Sequence, residues 1–378
     1  MRLMFDRRLI YHFDGFALLL MMLIVALGVT TVYSATYQAG RAVADSYAWR
    51  QALWALLGLA ATLGMVSFDY RRLERYAWLF WGVGAVLLLA VDIAGEMGNG
   101  SRRWLAVGPV TVQPSELMKL ALIVTLARIF HRNTRPGGLR LRDLVLPAVL
   151  TAVPAALILA QPDLGTAGVF VFIFASMVLM AGPSRRTLAI IAGVGLAMAP
   201  LLPVAFARLK PYQQRRLETF LSPELDPLGA GYHVIQSKIA IGSGGFHGRG
   251  FLQGTQNQLN FLPEQHTDFI FSVYSEEWGF VGAILLLVLY TILLLRGLVV
   301  VARAKERFGA LIAFGVLANV FWQASINLGM TTGLLPVVGI TLPFFSYGGS
   351  SLVTLMASLG LVINVNMRRF SHDRISAL

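Results

Sequence analysis

The chain has 378 residues, 56% of them hydrophobic and only 13% charged, where a soluble domain carries about 25% charged residues. So few charges cannot cover a water-facing surface, so lipid must be the solvent for most of the molecule, and the absence of cysteine excludes disulfides, thiol catalysis and cysteine-held metals. The net charge of +12 sits in short loops between apolar runs, which reads as membrane topology and not as a nucleic-acid surface.

A bilayer crossing needs about 20 predominantly apolar residues. Ten such runs are predicted, at roughly 15–34, 49–68, 75–94, 114–130, 143–160, 164–181, 187–206, 268–295, 308–329 and 343–366. The first is too long, and too poor in a small-residue cleavage site, to read as a signal peptide. The fifth and sixth share the tight connection Gln161-Pro-Asp163-Leu-Gly165 and form a hairpin. Twenty of the 31 Lys and Arg residues fall on one side of this ten-run plan, among them Arg71, Arg128, Arg185, Arg296 and Arg368. The positive-inside rule makes that side cytoplasmic and puts both termini there. The expected fold is therefore an all-α polytopic membrane protein of about ten transmembrane helices, one domain over residues 1–378. Its one large external loop, 207–267, lies between helices seven and eight. That loop starts with Arg208, Lys210, Arg215 and Arg216, either because long external segments translocate regardless of charge or because it faces an anionic lipid or a pyrophosphate.

An ionisable group in hydrocarbon costs at least about 2.5–3.5 kcal/mol, which makes each one a candidate site. Four groups stand out, all toward the predicted external side. Glu116 and Lys119, in Gln113-Pro-Ser-Glu-Leu-Met-Lys119 at the start of the fourth helix, share a face and can neutralise each other, as a structural pair or as part of a site. Arg102 and Arg103 lie just upstream, beside Trp104, an interfacial aromatic. Asp163 is a helix cap or a functional carboxylate; Arg50, at the mouth of the second helix, is its partner or a phosphate ligand. The third group runs from Asp226 to Gly245. Val234, Ile235, Ile239 and Ile241 predict a short surface helix there, and Lys238 is a phosphate ligand or a snorkelling lysine. The glycines that follow permit close approach of a ligand, but with no preceding strand and no Walker lysine they are not a nucleotide loop.

The fourth group is Glu264, His266 and Asp268, three polar residues within five at the water–lipid boundary. Partial desolvation raises a carboxylate toward the range useful to a general base, and His266 can orient it; alternatively Thr267 or Asp268 only caps the eighth helix. Deeper in, Glu276 and Glu277 are expected to pair within the bundle. The small residues of Leu342–Ser351 are expected to serve close helix packing. No carboxylate or histidine cage is evident, so no fixed metal site is predicted.

Arg103-Trp-Leu, QPSELMK, QPDLGT, DPLGAGYHVIQSKIAIGSGG, FLPEQHTDFIF and LPFFSYGGSS follow one another from about residue 100 to 351. In that order, on a ten-helix plan, they resemble the SEDS family of shape, elongation, division and sporulation proteins; GTQNQLNFLPEQHTDFIF and PVVGITLPFFSYGG are similar to its elongation branch more than to its division branch. The resemblance implies a peptidoglycan glycosyltransferase of the bacterial cytoplasmic membrane, active on the extracytoplasmic face and polymerising lipid II. It makes the Asp of the HTDF motif, here Asp268, the essential residue, in agreement with the reading of the residues. Arg50, Arg103, Glu116, Lys119, Asp163, Lys238, Glu264 and His266 are the expected substrate-binding residues. No fixed cofactor is implied, and a transient Mg²⁺ or Mn²⁺ on the pyrophosphate stays open. Expected partners are a class B penicillin-binding protein and other membrane proteins of the elongation complex. The division branch would carry the same chemistry. A lipid II flippase is the rival from another class, but it would need polar residues spaced through the whole membrane depth. A non-catalytic scaffold would leave Glu264, His266 and Asp268 without a role.

Overall fold

Below the headgroups no water competes for backbone N–H and C=O groups, so an apolar run is stable there only as a helix or as part of a closed barrel. The computed structural model describes residues 11–37, 47–98, 101–108, 110–198, 200, 207, 214, 218–220, 230–259, 261–262 and 264–369. Each predicted run carries a helix: α1 (Gly15–Ala35), α2 (Tyr47–Ser67), α3 (Arg71–Ala94), α4 (Pro114–Arg132), α5 (Leu141–Ala160), α6 (Leu164–Ala181), α7 (Arg185–Met198), then α10 (Ile270–Arg303), α11 (Arg307–Thr331) and α12 (Gly349–Arg368). The long connection adds α8 (Ala230–Ser243) and the single turn α9 (Thr255–Gln258). Seven helices, α1, α3, α5, α6, α10, α11 and α12, are long and apolar enough to cross a membrane. α2 and α4 reach spanning length but are less apolar, and the predicted end of the seventh run, at 206, lies outside the described residues.

Three boundaries differ from expectation. α3 begins at Arg71 instead of 75, α10 continues to Arg303 instead of 295, and α12 starts only at Gly349 because Pro343–Gly348 is non-helical. The protein is also not wholly α-helical. Strands β1 (Glu96–Gly98), β2 (Ser101–Val107) and β3 (Val110–Val112) form an antiparallel sheet in the order β1-β2-β3. This segment joins two helices beyond their ends, where backbone groups can pair from strand to strand. The basic residues at the start of the long connection, Arg208 to Arg216, lie outside the described residues.

α12 is the enclosed centre of the bundle. It packs most extensively along α2, where Thr62 Oγ1 donates to the Met356 carbonyl at 2.9 Å and Asn364 Nδ2 donates to the carbonyls of Met65, Val66 and Phe68. α11 packs on α4, α6 and α10, and α1 packs on α10. Outward faces carry exposed Leu79, Val86, Val145 and Leu285, the surface expected of a protein solvated by lipid. The bundle has two chemically distinct ends. One is rich in ion pairs, Arg296 with Asp14 (2.9 Å), Arg71 with Glu306 (2.8 Å) and Arg132 with Glu74 (2.8 Å). The other gathers the N-termini of α2, α4, α6, α10 and α12, the C-terminus of α11, and the sheet.

α10 is interrupted at Gly279, whose φ is 64° and ψ −161°. The segment 244–250 fills the gap. Arg249 N and Gly250 N donate to the carbonyls of Glu276 and Glu277, both at 3.0 Å, while Phe280 N and Val281 N donate to those of Gly245 and Phe246 at 3.0 and 3.2 Å. The glycine run read as room for a ligand is thus room for the α10 backbone. Glu276 and Glu277 do not pair with each other or with a basic side chain among the described salt bridges; they hold the long connection. Glu276 Oε1 accepts from Thr255 Oγ1 (3.2 Å) and Gln256 N (3.1 Å), and Glu277 Oε1 accepts from Ser34 Oγ and Leu252 N.

Gly279 occupies backbone space essentially closed to other residues, and a Cβ there would lie 2.3 Å from Gly248 N. Gly279→Ala should destabilise the protein by at least about 1–3 kcal/mol, seen as a lower apparent Tm in detergent. Gly64→Ala, inside α2 where a Cβ meets nothing within 4 Å, should keep Tm or raise it slightly.

Candidate active site

The turn before α10 carries Glu264, His266 and Asp268. Its shape comes from one carbonyl: Glu264, at φ 48°, accepts from Thr267 N (3.2 Å), Asp268 N (3.1 Å) and Phe269 N (3.3 Å). The helix cap is Phe269, with no side-chain capping bond, so capping by Thr267 or Asp268 is not what the sequence uses these residues for. Thr267 Oγ1 donates back to Glu264, to its carbonyl and to Oε2, both at 3.2 Å. Three anchors from elsewhere hold the turn. Gln265 Nε2 donates to the Ala35 carbonyl at the end of α1 (2.8 Å), Tyr347 N donates to the His266 carbonyl (2.9 Å), and Asn327 Nδ2 donates to the Asp268 carbonyl (2.9 Å). On the far side, Asp268 Oδ2 lies 3.3 Å from where a Cβ would stand on Gly339.

Facing this turn is the α5–α6 hairpin. Asp163 caps α6, accepting from Thr166 N and Thr166 Oγ1, both at 3.0 Å, so the capping role is real. It also pairs with Arg103 of β2, Nη1 to Oδ2 at 3.4 Å. Arg103 clips the hairpin further by donating to the carbonyls of Gln161 (3.2 Å) and Pro162. The sheet is what carries this arginine to Asp163. Arg50 is not the partner of Asp163: it is exposed and hydrogen-bonds the Tyr347 side chain, because the first turn of α2 packs on the connection before α12. There Gln51 Nε2 donates to the Ser346 carbonyl (2.9 Å), and the Tyr47 ring contacts His266 (centroids 4.9 Å) and Tyr347 (5.0 Å).

Two lysines behave differently. Lys119 Nζ is 2.9 Å from Glu116 Oε1, with the residues 2% and 6% exposed; the pair is sealed in the first turn of α4. Lys238, on α8, is exposed and its stem lies over Gly333 in the turn after α11. α8 reaches the site from the side, with His233 stacked on Phe269 and Ser237 bonded to Ser272 Oγ and the Thr331 carbonyl, both at 2.6 Å.

The Asp268 carboxyl is pushed up to about 6, first by burial, then by Glu264 and Asp163; Arg103 and the Thr267 hydroxyl pull the other way. Part of the residue is still open to solvent, but burial of the carboxyl is the largest cause of the shift. Glu264 is exposed, and its repulsion is screened more than that of buried Asp163. Burial holds His266 below its ordinary range, opposed by Glu264, which leaves the imidazole neutral at pH 7. Together these place a carboxylate of raised basicity beside a guanidinium at the end of a lipid-solvated bundle.

The profile of the FtsW/RodA/SpoVE family, described as cell cycle protein, matches residues 15–370. The chain belongs to this family. Among its relatives is the peptidoglycan glycosyltransferase MrdB of Escherichia coli K12, 44% identical over 313 residues, or 83% of this chain and 84% of that one. The peptidoglycan glycosyltransferase RodA of Treponema pallidum is 35% identical over 94% of this chain and 98% of its own length. The fold matches a solved structure described as "Structural coordination of polymerization and crosslinking by a peptidoglycan synthase complex" with a TM-score of 0.79 and 38% identity, covering 95% of this chain and 98% of that one.

For this member of the FtsW/RodA/SpoVE family, the structure brings Arg103, Asp163, Glu264, His266 and Asp268 together. Arg50 reaches the turn through Tyr347, Lys238 lies over Gly333, and Glu116 and Lys119 are kept apart as a buried pair. Sequence reasoning missed Tyr47, Gln51, Gln265, Asn327, Gly339 and Tyr347. Asn327 had a readable signal: with Asn319 and Gln323 it repeats every four residues on a spanning helix, but a search for ionisable groups passes over amides.

Lys119→Met should leave Glu116 buried without its cation, at a cost of about 3–5 kcal/mol. The double variant Glu116→Leu/Lys119→Met should recover most of the lost apparent Tm; no recovery would mean that the pair has partners beyond itself.

Proposed function

We propose that this chain polymerises lipid II into glycan strands during cell elongation, with Asp268 as the general base. Its family and its relatives named peptidoglycan glycosyltransferase support the reaction class; the single observation that carries the residue assignment is the turn that holds Asp268, pinned by Gln265, Tyr347 and Asn327, where burial pushes the carboxyl up to about 6. Asp268 takes the proton of the acceptor sugar's 4-hydroxyl. The oxygen attacks the anomeric carbon of the donor, the new C–O bond forms as the bond to pyrophosphate breaks, and undecaprenyl pyrophosphate leaves with the electron pair, inverting the carbon.

The leaving pyrophosphate needs positive charge already in place. Arg103 pairs with Asp163, Arg50 bonds Tyr347 and Lys238 lies over Gly333; the last two are exposed, which suits groups that meet an incoming phosphate. Lys119 is enclosed with Glu116 and serves that role less well; we assign the pair to holding α4. Asp163, Glu264 and His266 set the charge and position of Asp268. A divalent cation that arrives with the pyrophosphate is compatible with this arrangement.

We assign the site to the extracytoplasmic face of the bacterial cytoplasmic membrane, with ten spans and both termini inside. Support comes from the two ends of the bundle: the arginine-rich loops converge on the end opposite Asp268, as the positive-inside rule requires. The partner we propose is a class B penicillin-binding protein, supported by the related synthase complex that joins polymerisation to crosslinking.

Asp268→Asn should lower kcat for lipid II polymerisation by about 10²–10⁴-fold with Tm unchanged. The base must be deprotonated, so the wild-type rate should rise with pH through about 6. Arg103→Gln removes a cation that lowers the Asp268 pKa and should move this limb to higher pH. Glu264→Gln removes a like charge and should move it lower. A limb that ignores both changes would take the base assignment away from Asp268.

A further inference from the structure

Asn327 lies near the end of a spanning helix, is wholly buried, and makes two side-chain hydrogen bonds, neither of them along its own helix. Its Nδ2 donates to the Asp268 carbonyl at 2.9 Å and to the Ile340 carbonyl at 2.7 Å. Two carbonyl oxygens leave one orientation for the amide: the NH₂ group must face both, which turns Oδ1 away. That oxygen is enclosed and finds no donor among the described residues. Stranding a buried acceptor is unfavourable, and an apolar side chain of similar size would fill the space without it. The residue is therefore suited to what its NH₂ does.

The two carbonyls lie on two segments that meet at the Asp268 carboxyl. One is the backbone of the residue itself. The other is one residue beyond Gly339, whose missing side chain leaves room for Oδ2. Gly339 holds φ at 71°, and a Cβ there would stand 3.3 Å from Oδ2, so a side chain at this position would crowd the carboxylate. One side chain thus ties the Asp268 backbone to the surface under its carboxyl. The Glu264 carbonyl and the Tyr347 N–H hold the turn in place, but neither spans this gap.

We propose that Asn327 is a positioning residue for Asp268, locking the carboxylate in a single orientation toward the acceptor hydroxyl. This rests on the reading of Asp268 as the base. Asn327 need not touch substrate; it acts by keeping the base within reach of the proton, where an error of about 1 Å can lower a rate about 10²-fold.

The protein offers a matched control. Asn364, also wholly buried, donates through Nδ2 to three backbone carbonyls of α2 and the residues after it, at the opposite end of the bundle. The full-length protein, with its penicillin-binding partner, would be assayed on lipid II as wild type, Asn327→Leu, Asn364→Leu and Asp268→Asn, recording kcat, KM, the pH profile and apparent Tm. Asn327→Leu should lower kcat by about 10²-fold, leave KM near the wild-type value and displace the acidic limb. Asn364→Leu should lower Tm at least as much while keeping the wild-type kcat and limb. If Asn327→Leu does not fold, Asn327→Ser, which keeps one donor, should show the same pattern with a smaller loss. Equal losses from the two asparagines, or a change in KM alone, would reduce Asn327 to packing. Wild-type activity in Asn327→Leu with Asp268→Asn inactive would overturn the positioning role and leave the base in place. Wild-type activity in Asp268→Asn would overturn the base assignment and this proposal together.

Discussion

Lipid offers no hydrogen bonds, so each polar group below the headgroups must find its partner within the protein. The bundle is organised around that requirement. Asn364 serves the carbonyls released where α2 ends, and Thr62 bridges α2 to α12. At the break in α10, the freed carbonyls of Glu276 and Glu277 are met by the N–H groups of Arg249 and Gly250. A helix can be interrupted inside a membrane protein only where other backbone reaches in to satisfy it, and here the long connection does so. The same bonds dock that connection and bring α8 with it, carrying Lys238 to the side of the site.

Scarcity of water also gives the site its chemistry. Asp268 would be an ordinary carboxylate on a wet loop. Burial first, then Glu264 and Asp163, push its carboxyl up to about 6, near the working range of a general base. Arg103 tempers this by its charge and, through three contacts, fixes the hairpin that supplies Asp163. A structural clip and an electrostatic control are thus the same side chain. Lys119 shows the opposite outcome: sealed against Glu116, its charge is spent within α4 and is not presented to solvent.

The aromatic residues around the turn connect three helices that are distant in sequence. Tyr47 and Arg50 from the first turn of α2 meet Tyr347 from the approach to α12, and Tyr347 holds the His266 carbonyl. In this peptidoglycan glycosyltransferase the site is therefore assembled from one end of nearly every helix, and its rigidity comes from the connections between helices as much as from the helices themselves.

The apolar runs, the hairpin at Asp163 and the acidic turn at Asp268 were all legible in the chain, because hydropathy and helix signals are local and accumulate over neighbouring residues. The sheet at 96–112 was not foreseen, since its strands are short and its pairing compensates for the end of a helix. The break at Gly279 hid inside an apolar run, and its cause lies some 30 residues earlier, in the glycines from Gly244 to Gly250. By itself, the sequence determined the lipid solvent, the placement of the helices and the acidic turn that carries Asp268. Only the tertiary structure decided that Arg103 and not Arg50 pairs with Asp163, that Lys119 is enclosed, and that Asn327 bonds the carbonyls of both Asp268 and Ile340. Those choices depend on which helix ends meet, and packing between segments more than a hundred residues apart leaves no periodic trace along the chain.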